Sequence, residues 1–493
     1  MSLRVSFRTF GCKLNQAETE SIADGFSQAG AAIVPPGDGA DLVVFNTCTV
    51  TSKAEQKARR EMRLALRRNP DTVAIVTGCY AELDPEAVLA IGPRTIVVPG
   101  SRKDTVRTMA AGLAAASLEG LDLLAEAHRL ADLAAGREPD AFAFVPGEAR
   151  FHTRVQLKVQ DGCDNRCTYC RVCLARGVSR SLEPGTVQSR SAALEAAGVA
   201  EIVLTGVNLS QYRSGGLGFP GLLELLAGDG GRMAYRVSSY EPDRVDEAFV
   251  RAFAMPGVRP HLHLSVQSGS DRILRAMGRH YGRDQVLRAA EAVRAVRDDP
   301  FIGADIILGF PGETDTDFRD TLDLLERLRP AWVHAFTFSP RPGTRAFDMK
   351  QRVPERVAVE RAAAVQALAV LGKAAFAARR LGAVLEAVAE PYGNDDEEAG
   401  DDVAGFPAAA QAGDRAQAPG DRAQTTGDRA QVTVDGTRAG LPIYATSADY
   451  LKLEVHGAPP GLRGAFRCKA DADPALVCLK PGIDLVANYM ELI

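Results

Sequence analysis

Apolar positions in the first hundred residues come in short runs, and the stretches between them carry helical spacing. "RVSFRTF", "DLVVFNT", "VAIVTG" and "RTIVVPG" read as strands, and "NQAETESIADGFSQAG" as one of the intervening helices. Strand and helix in alternation predict an α/β parallel sheet with crossover helices. An Ala-rich helical connection follows over 101–150 and ends in "GREPDAFAFVPGEARF", where Pro and Gly mark a linker. Beyond it six strand candidates recur with helices between them: "TRVQLKVQ", "AEIVLTG", "MAYRVSS", "HLHLSVQS", "GADIILGF" and "AWVHAFTFS". Six such units predict a partial barrel, smaller than the closed eight-unit form, with its chemistry on the C-terminal loops. From about 381 the pattern changes. One strand-like run, "GAVLEAVAEPYG", gives way to "NDDEEAGDD" and to GDRAQ starting at 413, 420 and 427, a low-complexity insertion expected to be disordered. Strands resume in "LPIYATSADYLKLEVHG" and "GAFRCKADADPALVCLK", which predicts a small β-barrel split by the insertion. The expected layout is an N-terminal α/β domain over 1–125, a linker over 126–150, a partial (βα)6 barrel over 151–380, and a β-barrel over 381–493 interrupted at 393–437.

Composition narrows the classes. The 493 residues are 46% hydrophobic and 25% charged, an ordinary globular balance too long for one core. The opening "MSLRVSFRTFGC" has no basic stretch followed by an apolar core, so no export signal is expected. "AAAVQALAVLGKAAFAA" is interrupted by Gln366 and Lys373 and reads as a packed helix, not a membrane span. The 9 cysteines then point to reduced cytoplasmic thiols used for metal or catalysis. A net charge of −5 leaves any nucleic-acid site to local patches. One is 53–68, where Lys53, Lys57, Arg59, Arg60, Arg63, Arg67 and Arg68 face Glu55 and Glu61; it is either a solvated helix face or a phosphate-facing one. A second, with Arg154, Lys158, Arg166, Arg171, Arg176 and Arg180, overlaps a cysteine-rich stretch and could equally balance thiolate charge.

Cys12, Cys48 and Cys79 each lie just past a predicted strand, at the sheet edge where α/β folds place ligands, which favours a metal site over inert packing. "GCDNRCTYCRVCLARG" places Cys163, Cys167, Cys170 and Cys173 close together. Zinc is the plain reading of clustered thiols, and a noncatalytic, zinc-stabilised RNA-binding protein would account for it. Structural zinc sites, however, normally use two separated ligand pairs, whereas iron–sulfur clusters also take closely spaced cysteines. Cys468 and Cys478 fall in predicted strands and read as core packing.

CxxxCxxC with Tyr169 before its third Cys, on the first loop of a six-unit partial barrel, resembles the radical S-adenosylmethionine (SAM) superfamily. A three-Cys domain in front and a small TRAM-like barrel behind narrow the resemblance to the methylthiotransferases. "FGCKLNQAETE", "NTCTVTSKAEQK", "LKVQDGCDNRCTYC", "LTGVNLSQY" and "HLHLSVQSGSDRILRAM" look most like the branch acting on N6-threonylcarbamoyladenosine at tRNA position 37. The isopentenyladenosine branch usually reads GCQMN at the first Cys, and the branch modifying a ribosomal-protein aspartate GCPKN. The resemblance implies that Cys163, Cys167 and Cys170 bind a [4Fe-4S] cluster whose open iron chelates SAM. It implies that Cys12, Cys48 and Cys79 hold a second [4Fe-4S] cluster that delivers sulfur to C2 of the adenine, a second SAM giving the methyl group. Gly206 and Asn208 match the region contacting the methionine amino group; Ser238, Gln267 and Gly309 match others lining the SAM site; Tyr169 would lie near adenine. Each of these also fits ordinary barrel-turn chemistry. Cys173 stands where many relatives have Pro and is expected to be a spare thiol, while Arg176 either contacts an anionic group or anchors the loop. Implied partners are tRNA, an electron donor of the flavodoxin or ferredoxin class, and a sulfur donor, in the cytoplasm and with no membrane.

Overall fold

A computed structural model describes residues 2–145, 154–228, 230–389, 443–459, 465–474, 477 and 483–492. It divides into two compact units, Met1–Phe376 with Ala448–Tyr450, and Ala377–Ser447 with Leu451–Ile493.

The first unit opens with β1 (Arg4–Thr9), α1 (Lys13–Gln28), β2 (Ala32–Ile33), β3 (Leu42–Thr47), α2 (Ser52–Arg68), β4 (Val73–Gly78), α3 (Cys79–Leu83), α4 (Pro85–Leu89) and β5 (Thr95–Val97). The strands pair in parallel in the order β2-β1-β3-β4-β5. Both faces are covered, which is why β3 and β4 read as continuous apolar runs and are buried throughout. Val5, Phe7, Leu42, Val44, Val73 and Ile75 pack on one side with Ile22 and Phe26 of α1. Val43, Phe45, Ala74 and Val76 pack on the other with Ala58 and Met62 of α2. Edge strand β2 is absent from the sequence reading because it is two residues long and runs into Pro35 and Pro36. The boundary expected at 125/126 needs correction. It falls inside a helix, Leu123–Ala135, whose Ala127 is buried in the N-terminal core beside Val106 and Leu113.

Next come β6 (Val155–Lys158), β7 (Glu201–Thr205), β8 (Ala234–Val237), β9 (Ser239–Tyr240), β10 (His261–Gln267), β11 (Phe301–Leu308) and β12 (Trp332–Thr337). They form parallel sheets β8-β7-β6 and β9-β10-β11-β12. The run 234–240 belongs to both, so a single curved wall of six βα units follows chain order. Among the described residues β6 and β12 do not pair, and the barrel is open. Period-two alternation sends Leu262, Leu264, Ile302, Ala304, Ile306 and Val333 outward to the helices. The alternate positions face the inner wall.

Helix Glu355–Ala378 buries Val365 and Ala369 in that core; by length and composition it would also be apolar enough to cross a membrane. The second unit is a closed barrel of strands Val384–Ala389, Ile443–Ser447, Lys452–His456, Leu485–Leu492 and Ala465–Ala470 in that order. Cys468 is fully buried in it, its thiol 3.7 Å from the Leu385 carbonyl. The insertion 393–437 and Cys478 lie outside the described residues.

Candidate metal centres and cofactor pocket

β1, β3 and β4 are neighbours in the sheet, so three loops far apart in sequence leave the same edge together. Cys12 is the N-cap of α1, Cys48 directly follows β3, and Cys79 opens α3. The approach is close enough to need glycine. Gly11 has φ +91°, and a Cβ there would lie 2.5 Å from Cys48 Sγ; at Gly78, φ +97°, it would lie 2.3 Å from the Thr47 carbonyl oxygen. Cys12 is exposed while Cys48 and Cys79 are buried. Burial, with Cys12 and Cys79 beside it, raises the Cys48 thiol pKa, while the Val50 N–H donates to its sulfur at 3.4 Å. Buried neighbouring thiols that resist ionising are stabilised as thiolates by a cation bound among them, so the donor set fits a metal centre. Its exposed edge at Cys12 leaves an approach open.

The second set lies on the first barrel loop. Gly162, φ +73°, turns the chain where a Cβ would meet the Val178 carbonyl oxygen at 2.0 Å. The loop is pinned as the Thr168 N–H donates to Met277 O (2.8 Å) and the Ala346 N–H to Thr168 O (2.8 Å). Burial raises the Cys163 pKa, and that of Cys170 to about 12. Two donors face these sulfurs: Arg279 Nη1 stands 3.2 Å from Cys167 Sγ and Asn208 Nδ2 3.9 Å from Cys163 Sγ. A guanidinium and an amide turned toward thiols suit sulfur that carries negative charge. The Cys173 thiol lies beside the set and donates to the Cys170 carbonyl at 3.7 Å.

The remaining expected residues separate into backbone roles and open donors. Gly206 packs on Gln160, whose Oε1 a Cβ would meet at 2.8 Å, and the same oxygen accepts the Asn208 N–H at 2.8 Å. Asn208 thus comes beside both Cys163 and Glu241, its Nδ2 3.5 Å from Glu241 Oε1. Gly309, φ +75°, is held by contact with Ala358, 2.5 Å from where its Cβ would be, and its N–H donates to Glu313 at 2.7 Å. Gln267 ends β10 at φ +70°, an uncommon conformation for a non-glycine residue, at a register shift in the sheet. Ser238, between β8 and β9, is buried with a hydroxyl that has no protein partner. An unfilled polar atom there is suited to a ligand. Tyr169 packs at the edge of a small core with Ile273, Met277 and Phe310. Sequence reasoning missed Glu241 and Arg279, which face each other across a cleft with Asn165, Asn208, Gln211 and Tyr281. Glu241 follows the Ser238-Ser239 turn and was the available signal; Arg279 had none, since its partner is 38 residues away.

Arg176 anchors. With Lys103 and Lys158 it surrounds Glu18 of α1: Lys158 Nζ stands 2.7 Å from Oε1, Arg176 Nη1 2.9 Å from Oε1 and Nη2 3.1 Å from Oε2, and Lys103 also bonds Oε2. Asp161 closes the group, 2.7 Å from Lys158 and 3.0 Å from Arg176. Burial pushes the Glu18 pKa up, but the three cations outweigh it and hold the carboxyl well below its usual range. Glu55 of α2 similarly takes Arg171 (3.4 Å) and Arg341. These two ionic knots join the N-terminal sheet to the barrel, which places both cysteine sets in one unit. The cations of α2 take a different course. Lys53, Lys57, Arg60, Arg63, Arg67 and Arg68 are exposed, whereas Arg59 donates to the Tyr80 hydroxyl at 3.0 Å.

Residues 4–100 match a family described as uncharacterized protein family UPF0004, and residues 157–325 match the Radical SAM superfamily. The chain is 44% identical over 417 residues to threonylcarbamoyladenosine tRNA methylthiotransferase MtaB of Treponema pallidum, covering 74% of this chain and 86% of that one. It is 37% identical over 360 residues to the MtaB of Thermotoga maritima, covering 72% and 80%. Against tRNA-2-methylthio-N(6)-dimethylallyladenosine synthase of Erythrobacter litoralis it is 33% identical over 397 residues, covering 78% and 86%.

Proposed function

The chain belongs to the radical SAM methylthiotransferases, enzymes that use SAM and [4Fe-4S] clusters, and from that premise we propose that it converts N6-threonylcarbamoyladenosine at tRNA position 37 to its 2-methylthio derivative. The observation that carries the reading is the pair of cysteine sets, Cys12, Cys48 and Cys79 at one sheet edge and Cys163, Cys167 and Cys170 on the first barrel loop, within one unit. The threonylcarbamoyl substrate follows the 44% relative over the 33% one.

Cys163, Cys167 and Cys170 would hold the cluster that binds SAM, and Cys12, Cys48 and Cys79 the second. When bound, these clusters with SAM supply a radical able to take hydrogen from an unactivated ring carbon, and the sulfur that replaces it. The chain's own residues position and protect. Arg279 offsets the charge of the barrel thiolates, and Asn208 turns an amide N–H toward Cys163. Arg279, held by Glu241 at 2.6 Å, cannot swing away from Cys167. Ser238 Oγ and Gln267 offer polar contacts to the polar end of SAM, and Asn208 with Glu241 suits its amino group. Buried ion pairs around Glu18 and Glu55 fix the sulfur-delivering set against the barrel, so the two chemistries act on one bound base. The exposed cations of α2, beginning five residues after Cys48, suit the phosphates of the substrate tRNA. Electrons come from a flavodoxin- or ferredoxin-class donor and sulfur from a separate donor, in the cytoplasm.

The test is nucleoside mass spectrometry of tRNA from cells with and without the gene. Loss of 2-methylthio-N6-threonylcarbamoyladenosine alone supports the reading. Loss of the isopentenyl counterpart, or of a ribosomal-protein thioether with tRNA unchanged, overturns it.

A further inference from the structure

The inner wall of the barrel carries a polar cluster that neither cysteine set uses. His263 on β10, Asp305 on β11 and His334 on β12 share that face on three adjacent strands, with Asp305 directly opposite His334 in register. His263 Nε2 lies 2.9 Å from Asp305 Oδ1, and the two imidazole rings are 5.2 Å apart. Room for this is built into the backbone: a Cβ on Gly303 would lie 2.6 Å from His263 Nδ1. Trp332 Nε1 stands 3.4 Å from His334 Nδ1. A proton donated there places the His334 proton on Nε2, making that nitrogen a donor and not a metal ligand. Asp305 lies three residues before the end of β11, about 10 Å below the rim at strand rise.

Lys13 reaches the same interior. It follows Cys12 at the start of α1, and its ammonium sits 5.5 Å from the Tyr450 ring centroid. Among the described residues it has no carboxylate partner. The Tyr450 ring lies 4.6 Å from the ring of His261, two residues before His263 on the same face of β10. Burial pushes the Asp305 carboxyl pKa up, but His263, His334 and Lys13 outweigh it and hold it down. A half-buried ammonium resting on a ring and lacking a carboxylate is suited to an incoming anion.

We propose that Lys13 and the His263–Asp305–His334 cluster form the subsite for the substituent on the substrate base, Lys13 taking a carboxylate and the wall cluster taking hydroxyl and N–H groups. This rests on the threonylcarbamoyl reading and deepens it. An isoprenoid substituent has no polar atoms to satisfy these groups, and burying them against it leaves them unpaired. The subsite therefore selects for a carboxylate-bearing, hydroxylated side chain.

The experiment uses the reconstituted holoenzyme and two anticodon stem-loop RNAs, one carrying N6-threonylcarbamoyladenosine and one its threonine methyl ester. For Lys13→Gln we expect kcat/KM to fall about 10- to 100-fold on the acid and to change little on the ester. Lys13→Arg should recover most of the loss, and 5′-deoxyadenosine formation should persist. Asp305→Asn, remote in sequence from any cysteine, should lower kcat/KM on both RNAs about tenfold with iron content unchanged. Equal losses on acid and ester in Lys13→Gln, or no effect of Asp305→Asn, overturns the subsite. A third stoichiometric divalent metal that disappears in His263→Leu replaces it with a metal site. Failure of the parent reading looks different: wild type would thiolate an isopentenyladenosine stem-loop and neither threonylcarbamoyl RNA.

Discussion

Replacing Glu18 by Gln tests whether the ionic knot holds the two halves of the first unit together. Glu18, Lys103 and Lys158 have side chains only 2%, 3% and 2% exposed, so none of them is well solvated. The change keeps shape but leaves Lys103, Lys158 and Arg176 with Asp161 as their remaining anion. Removing one partner of a buried pair typically costs about 3–5 kcal/mol, because the stranded charge cannot return to water. At 1.36 kcal/mol per decade that is roughly a 150- to 5000-fold shift in the unfolding equilibrium. The loss should depend on pH. Burial already lowers the Lys103 pKa, Glu18 opposes that, and its removal lowers it further. The folded state then binds fewer protons than the unfolded one, so the deficit should narrow as pH rises toward the ordinary lysine value. In the wild type Glu18 gives the same sign in a lower window: its depressed carboxyl contributes stability above its unfolded pKa near 4.5, lost as pH falls toward the folded value. The assay is urea denaturation at several pH values, comparing midpoints at constant slope, with Glu126→Gln as control. Glu126 pairs within one helical turn with Arg129, whose side chain is more than half exposed, at 2.5 Å, and its loss should cost little beside that of Glu18. A Glu18→Gln loss no larger than the control's would refute the reasoning.

Cys163→Ala should abolish both 5′-deoxyadenosine formation and thiolation, whereas Cys12→Ala should keep the first and lose the second; thiolation surviving in Cys12→Ala would break the assignment of two sets. Iron and sulfide analysis should give about eight irons, falling to about four in a Cys163/Cys167/Cys170 triple Ala variant; zinc in their place would restore the RNA-binding alternative. Gly11→Ala places a methyl 2.5 Å from Cys48 Sγ at φ +91°, so it should lose about half the iron while retaining SAM cleavage. Full iron content would show that the loop relaxes freely.

The periodicity alone determined the order of elements, because strand and helix bury apolar faces at different intervals. The apolar runs of β1, β3 and β4 and their terminal Cys12, Cys48 and Cys79 are local facts, and parallel pairing of neighbours follows from crossover geometry. The spacing of Cys163, Cys167 and Cys170 is local as well, since one loop carries all three. What the sequence could not contain is pairing across distance. Arg279 reaches Cys167 from 112 residues away, and Lys158 and Arg176 meet Glu18 from 140 and 158. Nothing local names the partner of any of the three, although Arg176 reads as an anchor or an anion contact and Lys158 as part of a basic stretch. Only the closed fold removes water from these groups, and without water a charge must find its opposite, so the tertiary structure decided which cations anchor, which face the thiolates and which remain outside on α2. The same holds for His263, Asp305 and His334, which share no motif. Adjacent parallel strands and an alternation of period two bring them to one face of one wall, with Asp305 opposite His334 and His263 two residues away in register.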